Sequence, residues 1–318
     1  MPLPPRLELA RIEAARDVID PVFLHSPQYA CEPLGAAFGL RLVLKIETQN
    51  PIRSFKGRGA ELFVARDAAD GPMVCASAGN FGQAMAYACR SRERPLTVFA
   101  SEHANPLKLD RMRALGADVH LAGADFDAAK EVARHYAFER GWCYVEDGHE
   151  AAIAEGAGTL ALELLQAQPE LDALFVPLGN GALLAGVGTV ARALRPAAQL
   201  IAVAAAGAPA MIASLSEGRL VTTASVDTIA DGVAVRVPVP MALVDLDGIV
   251  DHTILVEDEA IVVAMRALHE HAGLVVEPAG AVGLAGVMRR AADWRGARVA
   301  TIVCGGNVTA AQRRRWLA

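Results

Sequence analysis

A lysine sits in the run Ser54-Phe55-Lys56-Gly57-Arg58-Gly59-Ala60, just after an apolar strand-like stretch and the turn pair Asn50-Pro51. Turn residues ahead of it place Lys56 near the start of a helix. A cation there opposes the helix dipole, and Arg53 and Arg58 add like charge close by. Both effects favour the neutral, nucleophilic amine that a Schiff base requires. The same residues also allow a plain exposed lysine, so Lys56 alone decides nothing.

Three further clusters share its setting, a turn between an apolar strand and a helix. Ser77-Ala78-Gly79-Asn80-Phe81-Gly82-Gln83 offers backbone N–H groups to a carboxylate or phosphate, with Asn80 able to donate and accept. An ordinary helix cap is the alternative there. Pro177-Leu178-Gly179-Asn180-Gly181-Ala182-Leu183-Leu184 has the form of a phosphate cradle. It does not satisfy G-x-G-x-x-G, because the sixth position of that frame is Leu184. The next strand ends in Ala204-Ala205-Ala206 where a dinucleotide fold wants an acid, which argues against a nicotinamide site. Finally, Cys304 ends an apolar strand ahead of Gly305-Gly306-Asn307 and either faces a ligand crevice or is a buried, inert thiol.

These clusters need rigid elements behind them. Leu42–Ile46, Met73–Ala76, Leu96–Ala100, Val119–Leu121, Ala173–Pro177, Leu200–Ala204 and Val299–Val303 read as strands. Helices are expected over Gly59–Ala68, Phe81–Arg90, Lys108–Leu115, Phe126–Arg140 and Gly181–Leu194. Apolar strands alternating with helices imply an α/β fold with mainly parallel sheets covered on both faces. Residues 47–147 hold four strand–helix units able to close as a small domain. Residues 1–46 and 148–318 then form a larger, discontinuous one.

Composition narrows the classes. The chain has 318 residues, 53% hydrophobic, with a formal net charge of −6. That content opposes disorder, and the charge argues against a nucleic-acid partner. Arg313–Arg315 reads as a solvated helix end. The longest weakly polar stretch, Leu200–Ala213, is too short to span a membrane. Five scattered cysteines without a C-x-x-C pair speak against a disulfide framework and for a reducing cytoplasm. His269 and His271 are two apart and read as surface residues.

The motifs in their order resemble the threonine/serine dehydratase group of fold-type II pyridoxal-phosphate enzymes, relatives of serine racemase with a tryptophan synthase β-like fold. The resemblance runs through Lys45-Ile46-Glu47, Ser54-Phe55-Lys56, Ser77–Asn80, Gly156–Glu163, the 179–183 loop, Asp231–Val235, Glu277–Ala281 and Cys304–Asn307. It implies pyridoxal 5'-phosphate as cofactor, with Lys56 the Schiff-base lysine and Phe55 packing beside the ring. It sets Asn80 against the phenolic oxygen and Cys304 against the pyridine nitrogen. The amides of Gly179, Asn180, Gly181, Ala182 and Leu183 are implied to bind the phosphate, and Ser77, Ala78, Gly79 and Asn80 the substrate carboxylate.

The implied reaction is α,β-elimination: Lys56 removes the α-proton of a small β-hydroxy amino acid, and a 2-oxo acid and ammonia result. A β-replacement synthase and a non-catalytic ligand-binding relative are the alternatives. A homodimer in the cytoplasm and no regulatory domain are expected. The departures are specific. Ala78 removes the hydroxyl that serine racemase uses as its second acid/base, Phe81 replaces a histidine, and Cys304 replaces the common serine. Ala182 stands where relatives have glycine and is uncomfortable if φ must be positive, whereas Asn180 tolerates that region better. Ala204, Ala208 and Ala210 occupy the acidic positions at which relatives hold a divalent cation, so no metal is expected there.

Overall fold

The computed structural model describes residues 5–317. Its first part holds α1 (Leu9–Ala15), β1 (Gln28–Ala30), α2 (Glu32–Phe38), β2 (Arg41–Ile46) and α3 (Lys56–Arg66). Next come β3 (Met73–Ala76), α4 (Asn80–Ser91), β4 (Leu96–Ala100), α5 (Pro106–Ala114), β5 (Asp118–Leu121), α6 (Phe126–Arg140) and β6 (Cys143–Val145). Then follow α7 (Ala151–Ala167), β7 (Ala173–Pro177), α8 (Ala182–Leu194), β8 (Gln199–Ala205), α9 (Ala210–Glu217) and α10 (Pro240–Leu246). The chain closes with β9 (His252–Val256), α11 (Asp258–Ala272), α12 (Pro278–Arg290), β10 (Arg298–Val303) and α13 (Ala310–Leu317).

The strands form two sheets, a six-stranded one in the order β1-β2-β10-β7-β8-β9 and a four-stranded one in the order β5-β4-β3-β6. Only β1 runs antiparallel to its neighbour, pairing Tyr29 with Leu44. Every residue of β3, β4 and β7 is buried, as expected of parallel strands with helices on both faces. The expected fold class is the observed one. The helix Phe126–Arg140 has the expected limits because its ends are marked chemically. Asp125 caps Ala128 N at 2.8 Å, and Gly141 turns left-handed at φ 64, the usual helix stop.

Other limits moved. α3 begins at Lys56 rather than Gly59, with Ser54 Oγ accepting from Lys56 N at 3.2 Å. The short strands β1 and β6 and the long helices α11 and α12 lie outside the elements expected from the sequence. Helices α3 and α7 pack closely through Gly156, where an added Cβ would lie 2.5 Å from the Arg58 carbonyl. The loops after β2, β3, β7 and β10 leave the carboxyl ends of parallel strands. Ligand crevices of α/β sheets lie at those ends.

Candidate active site

The Lys56 loop is fixed to the loop after β10. Phe55 N donates to Cys304 O at 3.1 Å, and Gly306 N donates to Arg53 O at 2.9 Å. Lys56, Phe55, Ser77, Ala78, Gly79, Asn80, Asn180 and Cys304 all line one cavity of about 560 Å3. Four of the expected cofactor residues, Gly179, Gly181, Ala182 and Leu183, are not in its wall. What they can offer is backbone N–H groups at the start of α8.

Lys56 does not have the surroundings its sequence neighbours suggested. Arg58 is fully buried and turns away, donating through Nε to Glu47 Oε2 at 2.9 Å and through Nη1 to Glu163 Oε1 at 2.6 Å. Residues two apart on a helix point in different directions, so Arg58 does not put its charge beside the amine. Lys56 Nζ instead lies 2.5 Å from Asp147 Oδ2 and 4.8 Å from the Phe55 ring centre. Asn180 Nδ2 reaches the same Asp147 oxygen at 3.4 Å. Asp147 is itself buried, and its Oδ1 has no hydrogen-bond partner.

The start of α8 can offer N–H groups to an anion. No side chain caps it, so its first N–H groups stay free for a ligand. The positive φ falls on Gly181, at 98°. The concern over Ala182 is therefore removed, since it is an ordinary first helical residue, and Asn180 needs no left-handed backbone either.

Around Asn80 the polar groups form a chain. Asn307 Nδ2 donates to Asn80 Oδ1 at 2.8 Å, and Asn80 Nδ2 donates to Glu277 Oε1 at 2.5 Å. Lys108 Nζ lies 3.9 Å from Glu277 Oε2 and 2.5 Å from Asp231 Oδ2. Burial pushes Glu277 up to about 7, with Lys108 pulling the other way. Ser77 Oγ accepts from Gly79 N at 3.1 Å and Gly82 N at 2.9 Å. Ser77 thus ties down the turn ahead of α4, whose N-cap Gly79 has no side-chain cap, and only its hydroxyl proton is left to face a ligand. Cys304 is buried, its thiol is pushed up to about 12 chiefly by burial, and it donates to Ala279 O at 3.4 Å. A neutral thiol is the species present.

Three site features were not drawn from the sequence: Asp147, Lys108 and the contact of Glu277 with Asn80. Asp147-Gly148 reads as a turn pair, and nothing in it announces a partner 91 residues earlier. Ala204, Ala208 and Ala210 are buried and bring no oxygen side chain. Among the described residues no group of three or more His, Cys, Asp or Glu could hold a metal, and no helix is long and apolar enough to cross a membrane.

The family described as pyridoxal-phosphate dependent enzyme matches residues 20–305. L-threonine ammonia-lyase of Geobacter sulfurreducens is 36% identical over 273 residues, which is 85% of this chain and 68% of that protein. The structure of maize serine racemase superposes with a TM-score of 0.91 at 28% identity, covering 98% of this chain and 96% of that one. The processed form of threonine deaminase isoform 2 from Solanum lycopersicum superposes at 0.90 with 29% identity, covering 96% of this chain and 85% of that one.

Proposed function

Because the chain belongs to the family of pyridoxal-phosphate dependent enzymes, we propose that it eliminates water and then ammonia from a small β-hydroxy amino acid such as L-threonine or L-serine. The single observation that carries this reading is the Lys56 amine inside a cavity that the Ser77–Asn80 loop, Asn180 and Cys304 also line. The residues present fit the cofactor. An uncapped helix start with a left-handed glycine suits its phosphate, and an amine is present to anchor it. When bound, pyridoxal phosphate supplies an electron sink for the charge left at Cα.

The chain's own residues do the rest. Amides of Gly179, Asn180, Gly181, Ala182 and Leu183 would hold the phosphate, and Phe55 would pack against the ring. Asn80 would meet the ring oxygen with a preset amide, and Cys304 would stand at the ring nitrogen as a neutral group. The N–H groups at the start of α4 take the substrate carboxylate, and Lys56 Nζ takes the proton from Cα. Residues 47–147 act as the lobe that carries Lys56 and this carboxylate loop, and the working unit is a homodimer in the cytoplasm.

Elimination is favoured over racemisation by one observation. Racemisation needs a second acid/base on the opposite face, and Ala78 lines the cavity where a hydroxyl would have to stand. The test is to load purified protein with cofactor and follow 2-oxo acid and ammonia from L-serine, L-threonine and larger β-hydroxy amino acids. Turnover that vanishes in Lys56→Ala supports the reading. Turnover only when an added thiol or amine is incorporated would assign β-replacement instead.

A further inference from the structure

The geometry points to Asp147 as a second catalytic residue, which carries the proton from Lys56 to the departing β-hydroxyl. This deepens the ammonia-lyase reading and rests on it. Hydroxide is a poor leaving group, so the Cβ–O bond breaks readily only if the oxygen is protonated as it departs. The cavity wall holds other titratable groups, but Lys130 pairs with Glu146 and Arg236 with Asp127, away from Lys56. Cys304 donates its proton to Ala279 O. Glu277 and Lys108 are bound to each other, to Asn80 and to Asp231. Ser77 Oγ accepts from two backbone N–H groups, and the proton it keeps belongs to a hydroxyl far less acidic than a carboxylic acid.

Glu277 Oε2 also lacks a hydrogen-bond partner, but Asp147 is the carboxylate that touches Lys56. Its Oδ2 is 2.5 Å from the one amine that receives the α-proton, and its buried Oδ1 has no partner. Asn180, in the loop at the start of α8, steadies the same carboxylate at 3.4 Å. The step balances without any outside reagent. The Cα–H bond breaks and its proton passes to Lys56 Nζ. Asp147 takes that proton from Nζ and gives it to the β-oxygen as the Cβ–O electron pair leaves with oxygen. Water departs, Lys56 is again a free amine, and Asp147 is again a carboxylate.

The test is Asp147→Asn, loaded with pyridoxal phosphate and compared with wild type on two kinds of substrate. Turnover of L-serine and L-threonine should fall about 100-fold or more. Turnover of β-chloro-L-alanine, whose chloride leaves without a proton, should stay within about threefold. Two measurements free of elimination accompany it: the visible absorption and cofactor content, and exchange of the α-hydrogen of L-alanine in heavy water. Both should be retained. Asp147→Glu, which keeps a carboxylate, should restore part of the L-serine turnover.

Equal losses on chloride and hydroxyl substrates, unchanged L-serine turnover in Asp147→Asn, or no recovery in Asp147→Glu would each overturn the assignment. Wild type that releases chloride yet leaves every β-hydroxy amino acid untouched would overturn the substrate reading itself. That result is separable from anything the variants do.

Discussion

Asn80 and Asn307 meet through their side-chain amides, Asn307 Nδ2 donating to Asn80 Oδ1 at 2.8 Å. Asn307 Nδ2 also donates to Ile52 O at 2.8 Å, and its Oδ1 accepts from Arg111. With Asn80 Nδ2 on Glu277, neither amide can flip without losing a bond. Asn80 therefore presents one fixed orientation to the ring oxygen it is proposed to meet. The asparagine after the two glycines is a positioning residue.

Asn307→Ala should accordingly loosen both the fold and the hold on the cofactor. It leaves Asn80 Oδ1, the Ile52 carbonyl and Arg111 short of a partner, at roughly 1–3 kcal/mol for each buried orphan. We expect cofactor to be lost on dialysis about tenfold faster than from wild type, at a cost of about 1.4 kcal/mol per tenfold by the usual relation. Absorbance of the retained cofactor measures it. Equal retention in the variant would show that Asn80 is oriented by Glu277 alone.

A second prediction concerns the buried ions behind Lys56. Arg58, Lys45, Glu47 and Glu163 are all buried, with Lys45 Nζ 2.5 Å from Glu163 Oε2. Arg58 and Lys45 hold Glu163 down at about 2, against a burial effect of opposite sign, while burial pushes Lys45 down despite its two carboxylates. A lowered carboxylate contributes stability that is fully present above its unfolded value and lost as pH falls. The window therefore runs from about 4.5 down to about 2, and its size is on the order of 3 kcal/mol. Thermal melts of Glu163→Gln against wild type should differ at pH 7 and converge toward pH 2. Removing the arginine as Arg58→Ala should cost about 3–5 kcal/mol at neutral pH.

These two clusters also show what the sequence could and could not display. Strands such as Ala173–Pro177 were legible because an unbroken apolar run buried on both faces leaves few other readings. The α6 limits were legible because Asp125 and Gly141 act locally. Arg58 was misplaced for the opposite reason. Its neighbours in sequence include Lys56, but its partners Glu47 and Glu163 lie 11 and 105 residues away. Only the close approach of α3 and α7 brings Glu163 near. Asp147 was invisible on the same ground, since a turn aspartate gains meaning only from what faces it. Local chemistry is written locally, and a polar network is not.

Glu277 supplies a pH dependence of the other sign. Its carboxyl is pushed up to about 7 mainly by burial. A raised folded value means stability that is present below about 4.5 and lost as pH rises through about 7, on the order of 3 kcal/mol in all. Glu277→Gln keeps an oxygen for Asn80 and removes the charge. Calorimetry should find the variant melting above wild type at pH 8, with the gap closing toward pH 5. A gap that widens as pH falls would mean that Lys108 holds Glu277 ionised across the range.

The left-handed turn at the start of α8 yields the last prediction. Gly181 has φ 98, and a Cβ there would lie 2.9 Å from the Ala242 Cβ. Gly181→Ala thus meets both a backbone penalty of about 1–2 kcal/mol and a contact that pushes α8 from α10. Ala182 follows it in an ordinary helical conformation, so the strain falls on the turn that aims the free N–H groups. We expect the variant to fold, with a melting temperature several degrees lower, and to bind pyridoxal phosphate at least tenfold more weakly. Inorganic phosphate, which competes for the same amides, should protect wild-type apoprotein against heat and protect the variant less. Equal protection by phosphate in both proteins would move the anion site away from α8.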